Sequence, residues 1–369
     1  MRNFAIVSFV LVIFAGASEG ANDGRCREAM AIGLASTQCT TEISQTDKNT
    51  KTQLRHYLER LESFGFSGQV LVVDKGHIVV HSGYGGARRD PFKAVSVNTV
   101  FDIASLTKQF TAAAILSLEM DGKLKTSDPI SKYLDSVPID KAAITVQQLI
   151  THMSGLRRDL VQNATIDFVS RDELIKRTLE SKLLAEPGKN FIYSNAGYHL
   201  LAAIIEKLSG QSFFNYLNYK LFEPAGMRST FSQTDRRKKP LAAYPNNEWR
   251  ELSEYVDRPE SWHLFGPSGI SSTAGDIRKW TQAIMTNKIF TNEARDKFLA
   301  RQAPLEEGVF YGCGWFVEKA KNGGDLISSG GDVAGYHSEF RWERQTDRLI
   351  IVLTNQDVFG LSGGAVQKR

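Results

Sequence analysis

The sequence lacks any strong excess of charge. Of its 369 residues, 45 are Lys or Arg and 41 are Asp or Glu, so the formal net charge is +4. The densest basic run covers only Arg236 to Lys239, so neither nucleic acid nor an anionic membrane surface is indicated as a partner. Hydrophobic residues make up 42% of the chain and charged residues 23%. These values are typical of globular proteins and exclude the collagen-like, coiled-coil and disordered classes.

Long hydrophobic runs are absent after the first residues of the chain. Near the N-terminus, Phe4 to Ala15 is apolar apart from Ser8 and follows the basic residue Arg2. This run is shorter than the roughly 20 apolar residues that span a bilayer, and Ala15-Gly16-Ala17 has the small residues of a cleavage site. The pattern predicts a signal peptide over residues 1–20 and therefore a secreted or periplasmic protein. An N-terminal membrane anchor is the alternative.

Cysteine is scarce, with three in the chain. Cys26 and Cys39 lie in a polar N-terminal segment, residues 21–50, and an oxidising compartment would allow them to pair. A Cys26–Cys39 disulfide is therefore a candidate crosslink. Cys313 is left over, and we expect its side chain to be buried and unreactive, because free cysteines are among the most buried residues.

Hydrophobic periodicity predicts strands at both ends of the chain and helices between them. Helical spacing covers Thr52–Phe64 and Phe101–Leu118, and the chain stays mainly helical to about Trp280. The predicted strands are Gly68–Val73, His77–His81, Phe310–Val317, Ser338–Glu343 and Leu349–Thr354. This order indicates an α+β lobe plus a mainly helical lobe, within a domain over residues 51–360 that a tail over 361–369 follows. We expect a site in the cleft between the two lobes.

A Ser-x-x-Lys motif, Ser105-Leu106-Thr107-Lys108, lies at the start of one predicted helix. Side chains three residues apart share a helix face, so the amine of Lys108 can reach the hydroxyl of Ser105. A helix N-terminus favours developing negative charge, and a lysine desolvated in a cleft can accept a proton at neutral pH. The motif also occurs on ordinary helix surfaces, but here its flanks are apolar and predict a buried lysine, which requires a reason.

A second motif, Tyr193-Ser194-Asn195, lies at a predicted loop-to-helix junction. There Tyr193 and Asn195 can present a phenol and an amide to one site, the phenolate as a base and the amide as a ligand for a substrate carbonyl. The alternative is an ordinary turn in which Asn195 is the helix N-cap. His152, in the turn Thr151 to Gly155, is expected to hold its loop by hydrogen bonds rather than to act chemically.

Together these motifs resemble those of the penicillin-recognising serine hydrolases, which include class C β-lactamases, D-Ala-D-Ala carboxypeptidases and related esterases. Leu149–Leu156 and Gly269–Asp276 resemble further segments of that family, and the likeness runs from about Leu61 to Asn355. The resemblance implies a β-lactamase-like fold, with an antiparallel sheet flanked by helices and a mainly helical lobe. It implies an acyl-enzyme on Ser105, proton transfer by Lys108 and Tyr193, and a substrate amide oriented by Asn195. It implies no metal or other cofactor.

The third motif of the family departs from its usual pattern in this chain. Relatives carry Lys-Thr-Gly or His-x-Gly on a strand that lines the cleft, whereas the matching stretch here is Ser329-Gly330-Gly331-Asp332. Ser329 replaces the basic residue, while the two glycines still allow close approach. The resemblance implies an oxyanion hole formed by the N–H groups of Ser105 and Asp332. His337 is a candidate substitute for the missing base, and an ordinary surface or core histidine is the alternative.

The missing cation weakens binding of a substrate carboxylate. The sequence therefore predicts an exported serine hydrolase that cleaves an ester or amide in a small-molecule or peptide-like substrate. The alternative is a non-catalytic, penicillin-binding relative that binds peptidoglycan or a partner without turnover. These motifs do not distinguish among ester, D-amino-acid amide and β-lactam substrates, nor do they define an oligomeric state. Relatives also end in a long helix, whereas Gly360–Arg369 is short and has a polar end.

Overall fold

The computed structural model of this chain describes residues 51–160, 168–235, 242–244, 246–247, 250–251, 261–320, 323–333 and 335–356. The predicted signal peptide over residues 1–20, the polar segment 21–50 with Cys26 and Cys39, and the tail 361–369 lie outside the described residues. Within the described ranges, none of the helices has both the length and the apolar character that a membrane crossing requires.

Strands dominate both ends of the described chain and helices dominate its middle. The strands are β1 Gly68–Asp74, β2 His77–Tyr84, β3 Gly86–Arg88, β4 Lys93–Ala94, β5 Phe101–Asp102, β6 Phe231–Ser232, β7 Asn246–Asn247, β8 Arg250–Glu251, β9 Ile270–Ser272, β10 Ala303–Glu306, β11 Val309–Tyr311, β12 Phe316–Lys319, β13 Asp325–Val333, β14 Tyr336–Glu343 and β15 Arg348–Thr354. The helices are α1 (residues 51–63), α2 Thr107–Met120, α3 Val146–Ile150, α4 Arg171–Glu180, α5 Asn195–Ser209, α6 Phe213–Leu217, α7 Glu223–Ala225, α8 Ala274–Met285 and α9 Asn292–Leu299. Short 3-10 turns cover Ala104–Leu106, Ile130–Lys132 and Trp262–Leu264, and a π-helical turn covers Asn218–Phe222.

One antiparallel sheet contains eight of these strands, in the order β10-β11-β12-β13-β14-β15-β1-β2. Strand β1 pairs with β15, so the first and last described strands lie side by side in the sheet. The predicted strands Gly68–Val73 and His77–His81 are confirmed, and they form the antiparallel hairpin of β1 and β2. Its two turn residues, Lys75 and Gly76, have φ angles of 48° and 82°, as a type I′ turn requires.

The sheet separates two hydrophobic cores. On one face, Val70 and Val72 of β1 pack with Leu54 and Leu58 of α1. The alternate residues of β1 point to the other face, where the sheet packs against the helical lobe. Helix α2 lies in the centre of that second core, and every residue from Thr107 to Leu118 is buried. The predicted α+β architecture, with a helical lobe between terminal strands, is confirmed.

The predicted helix Phe101–Leu118 was wrong at its N-terminal end. Phe101 and Asp102 form strand β5, which pairs with β9. Ala104 then has a φ of 47°, which no α-helix accommodates, and its N–H donates to Asp102 Oδ1 at 2.9 Å. Helix α2 therefore begins only at Thr107, directly after the 3-10 turn that contains Ser105.

The prediction of a single strand over Phe310–Val317 was also wrong. The segment is two strands, β11 and β12, joined by a turn at which Gly314 has a φ of 88°. This turn packs so closely on α2 that a Cβ at Gly314 would lie 2.4 Å from the Gln109 nitrogen. Hydrophobic periodicity predicted no strand over β13, because Gly330 and Gly331 are poor strand formers. The third-motif resemblance implied one there, and the pairing of β13 with β14 and β12 confirms it.

Candidate active site

Ser105 and Lys108 are in direct contact at the N-terminal end of α2. Lys108 Nζ lies 3.0 Å from Ser105 Oγ and donates a second hydrogen bond to the Pro267 carbonyl oxygen at 3.1 Å. The lysine side chain is fully buried, while Ser105 remains partly exposed. The 3-10 turn places the serine at the surface of the cleft and the lysine beneath it, so a reagent reaches the hydroxyl before the amine.

Burial lowers the pKa of Lys108 well below its ordinary value, and the charge of Arg158 acts in the same direction. The carboxylate of Asp159 opposes the shift, but it does not overcome desolvation. The rings of Tyr193 and Tyr198 lie 4.9 and 5.5 Å from Nζ, and such faces also favour an ammonium. Because desolvation is the largest effect, a neutral amine with a lone pair available to the Ser105 proton is favoured.

Tyr193 lies close enough to Ser105 for the serine side chain to affect its pKa. Burial raises the pKa of Tyr193 to about 12, although the Ser105 hydrogen bond and the charge of Arg158 both lower it. At neutral pH this side chain is therefore a phenol. A phenolate base at Tyr193, as predicted, does not agree with this environment, so Lys108 is the better candidate for the base.

His152 holds the Tyr193 segment by hydrogen bonds from both of its neighbours. The Ser194 N–H donates to His152 Nδ1 at 3.0 Å, and the Ile192 N–H donates to the His152 carbonyl at 2.9 Å. The imidazole also packs against the Tyr193 ring, with centroids 4.3 Å apart. Burial lowers the pKa of His152 well below its ordinary value, so the ring is neutral. These contacts hold the Tyr193 segment, whereas the prediction had His152 hold its own turn.

Asn195 is the first residue of α5, and Ser194 is the N-cap. The Ser194 hydroxyl accepts the Gly197 N–H at 3.0 Å, so the alternative with Asn195 as cap is wrong. Asn195 Nδ2 donates to Asp159 Oδ1 at 2.7 Å, whereas Asn195 Oδ1 is buried without a partner among the described residues. Since Asp159 can only accept, the amide presents an acceptor. Asn195 is thus suited to accept a hydrogen bond from a substrate N–H. The sequence motif had instead predicted that it binds a substrate carbonyl.

The third-motif stretch lies on β13 beside the nucleophile. A Cβ at Gly331 would lie 2.5 Å from the Ser105 nitrogen and 2.9 Å from the Ala104 Cβ, so only glycine fits. Ser329, on the same strand face as Gly331, is 7% exposed. Strand β12 pairs with β13 only as far as Ser328, while β14 pairs with it to Val333. In the described part of the chain, the edge from Ser329 to Val333 is therefore open towards the cleft.

His337 does not take the place of the missing third-motif base. It stands directly opposite Asp332 in the β13–β14 ladder, and its Nδ1 lies 2.7 Å from Asp332 Oδ1. Gly330 and Asp332 alternate with Ser329 and Gly331 along the strand, so this pair lies on the opposite face of β13 from Ser329.

Neither a reactive thiol nor a metal site adds to these groups in the described part of the chain. Cys313 is buried, as predicted; its Sγ accepts a hydrogen bond from Gln302 Nε2 at 3.2 Å, and burial raises its pKa to about 12. Across the described ranges, no group of three or more His, Cys, Asp and Glu side chains could hold a metal ion.

Sequence reasoning missed two residues of the site, Pro267 and Asp159. Pro267 lies in Gly266-Pro267-Ser268-Gly269, which has the composition of a turn and nothing that indicates a lysine ligand. Asp159 lies in a loop whose contacts no periodicity predicts. Pro267 contacts Lys108, and Asp159 contacts Asn195, from distant parts of the sequence. The only available signal was that both residues lie in segments near the predicted motifs.

Known proteins share the sequence pattern and the fold of this chain. Residues 59–364 match the Beta-lactamase family. The chain belongs to this family of penicillin-recognising serine hydrolases. PbpX of Bacillus subtilis (strain 168), a candidate penicillin-binding protein, is 30% identical over 316 residues, which cover 85% of this chain and 75% of the relative.

Two solved structures share the fold. A penicillin-binding protein from Bacillus halodurans has a TM-score of 0.72 at 24% identity and covers 84% of this chain and 98% of its own. The D-amino acid amidase of Ochrobactrum anthropi SV3 has a TM-score of 0.69 at 20% identity and covers 83% and 92%. The likeness to these structures establishes the β-lactamase-like fold that the motifs predicted.

Replacing the buried amine should separate stability from reactivity. In Lys108→Met, we expect labelling of Ser105 by a fluorophosphonate to slow by about 100-fold or more, because the general base is lost. We also expect the unfolding free energy at neutral pH to rise by about 1 kcal/mol or more, because an apolar side chain replaces a desolvated amine. Thermal unfolding and the labelling rate, measured on the same samples, check both effects.

The buried amine also determines whether stability rises or falls with pH. The folded-state pKa of Lys108 lies below its unfolded value, so the unfolded chain binds the extra proton and wild-type stability rises as pH increases towards 10.5. Lys108→Met should lack this increment. Equal rates of Ser105 labelling in the wild type and Lys108→Met would show that Lys108 does not take part in proton transfer.

The Asp159–Asn195 hydrogen bond should determine which substrates the site prefers. In Asp159→Asn, the Asn195 amide is free to rotate, so we expect the preference for an acyl donor with an N–H over its N-methyl analogue to fall by about five- to tenfold. Competition between the two donors in acylation measures this ratio. Asp172→Asn, on the exposed start of α4, is the control. An unchanged ratio in Asp159→Asn would contradict the assigned orientation.

Proposed function

We propose that this protein is an exported serine hydrolase that forms an acyl-enzyme on Ser105. The observation that carries the proposal is the contact between the Ser105 hydroxyl and a buried lysine amine 3.0 Å away, whose burial favours the neutral form. A neutral amine is a general base and a charged one is not. The partly exposed serine is then an activated nucleophile.

Acylation follows from the positions of the side chains. Lys108 Nζ takes the proton of Ser105 Oγ as the oxygen attacks the substrate carbonyl, and a tetrahedral oxyanion forms. The N–H groups of Ser105 and Asp332 are assigned to this oxyanion, a role that the close approach of Gly331 to Ser105 supports. As the intermediate collapses, the bond to the leaving group breaks, and that group receives a proton from Lys108 by way of the Tyr193 phenol.

Deacylation reverses the proton transfers. Water adds to the acyl carbonyl and gives its proton to the neutral amine of Lys108, and the bond to Ser105 Oγ breaks as the acid is released. The serine oxygen then recovers its proton from the lysine. Asn195 Oδ1 accepts an N–H of the substrate in both steps, which favours acyl groups with an amide or amine near the scissile bond.

The substrate class that we propose is an ester or amide without a carboxylate next to the scissile group. Ser329 supplies no positive charge where relatives carry Lys or His, and Asp332 adds a negative charge nearby. A D-amino acid amidase among the structural neighbours supports the view that the fold accommodates amide cleavage. Secretion or periplasmic export is proposed from residues 1–20.

A second candidate function is binding without turnover. The observation that favours it is Ser329, since a family member without the third-motif base lacks one group that acts on substrate. The buried Ser105–Lys108 pair argues against this candidate, because a binding surface does not require a desolvated lysine without a contacting carboxylate.

Covalent labelling distinguishes the two candidates. We expect a fluorophosphonate to add one adduct to the wild-type protein, as measured by intact mass, and to add none to Ser105→Ala. Ser131→Ala, at an exposed serine outside the cleft, controls for general loss of serine. Adduct formation in Ser105→Ala at the wild-type rate would assign the nucleophile elsewhere, and no adduct in either protein would favour binding without turnover.

A basic residue in place of Ser329 should restore carboxylate recognition. In Ser329→His and Ser329→Lys, we expect acylation by a fluorescent penicillin to increase by about tenfold relative to acylation by a neutral ester, because a cation then faces the substrate carboxylate. The ratio of the two rates is the measurement. If the ratio stays the same, Ser329 does not occupy the third-motif position.

A further inference from the structure

Asp332 places a carboxylate next to the group proposed to bind the oxyanion. Its backbone follows Gly331, which is in close contact with the Ser105 nitrogen. The charge of Asp332 reaches the site, since it contributes to raising the pKa of Tyr193. The Asp332 side chain lies on the opposite face of β13 from Gly331, but its negative charge still opposes a developing oxyanion, because like charges repel more strongly wherever water is partly excluded.

His337 is placed to cancel that charge. The two residues face each other across β13 and β14, with Nδ1 and Oδ1 2.7 Å apart. The side chain of His337 is 7% exposed and that of Asp332 is 44% exposed. The histidine is therefore buried, and its contact with the partly exposed carboxylate restricts the Asp332 side chain.

The groups around His337 favour its protonated form. Burial lowers the pKa of His337, but the hydrogen bond and charge of Asp332, together with the charge of Glu339, raise it above the ordinary value. Glu339 is itself paired with Arg341 at 2.9 Å. On the other side, β15 presents Thr354, which is uncharged. Among the described residues, Asp332 is thus the charged group that contacts the imidazole.

We propose that His337 is a positioning residue for acylation: its imidazolium binds and neutralises Asp332, so that the oxyanion forms beside a neutral pair rather than beside a lone carboxylate. This inference rests on the proposed acyl-enzyme function. It extends that function by making the reaction dependent on the proton of His337. Below the folded-state pKa of His337 the pair is neutral, and as the pH rises through that pKa the proton is lost and the negative charge of Asp332 is uncovered.

The test compares His337→Gln, Asp332→Asn and the double variant with the wild type. The measurement is the rate of Ser105 labelling by an uncharged fluorophosphonate from about pH 5 to about pH 9, the range in which histidines titrate. We expect His337→Gln to label about tenfold more slowly at neutral pH, because it leaves Asp332 charged and uncompensated. The double variant should recover most of that loss, since no carboxylate remains to be neutralised.

Rescue by the second substitution distinguishes charge from structure. If His337 only supports packing, the double variant stays as slow as His337→Gln, and this result would overturn the inference. Equal rates for His337→Gln and the wild type would overturn it as well. If His337→Gln does not fold, Asp332→Asn provides the test. The labelling rate of the wild type should fall at the pH where His337 deprotonates, and the rate of Asp332→Asn should show no such fall. A wild-type protein without any Ser105 label would refute the proposed function itself, whereas labelled variants without these differences refute only the role of His337.

Discussion

The burial of one lysine amine next to a partly exposed serine is the constraint on which the site depends. Lys108 lies inside the central helix of the helical lobe, where an ammonium loses its hydration and contacts no carboxylate among the described residues. Such burial costs free energy unless the group loses its proton. Pro267 accepts one hydrogen bond from the amine. In the proposed mechanism the amine is neutral, and Tyr193 and Ser105 provide the path along which a proton enters and leaves.

The surrounding elements hold this pair with little freedom. Ala104 has a strained backbone at positive φ, and the Asp102 carboxylate accepts its N–H. Such strain recurs at functional sites, where the surrounding structure holds the backbone in place. Strand β13 approaches Ser105 so closely that Gly331 leaves no room for a side chain. The charges are equally constrained. Asp159 orients Asn195, and His337 pairs with Asp332, so each of these two carboxylates has an assigned partner. The proposed preference for substrates without a carboxylate follows from this arrangement, since Ser329 supplies no cation.

Much of this arrangement was predictable from the sequence, because it depends on local patterns. The hairpin of β1 and β2 follows from its β-branched runs and its turn. Ser105 and Lys108 were identifiable because they are three residues apart at a helix start, and Tyr193 and Asn195 because they share a junction. What could not be predicted depends on long-range contacts: the pairing of Phe101 with β9 that delays helix α2, and the orientation of Asn195. Periodicity also missed the strand over the glycine-rich Ser329–Val333 segment, which only the third-motif resemblance implied. A local pattern predicts which side chains share a face, but it does not predict what a distant loop places opposite them.

The ionisation of Lys108 is the central claim, and it can be measured directly. NMR spectroscopy of protein labelled at the lysine side chains, with Lys108→Met to assign the signal, follows this one amine through a pH titration. The account predicts that Lys108 titrates well below the ordinary value of 10.5 and is neutral over the range in which Ser105 reacts. A Lys108 signal that titrates at or above 10.5 would contradict the account, because a permanently charged amine cannot remove the proton of Ser105.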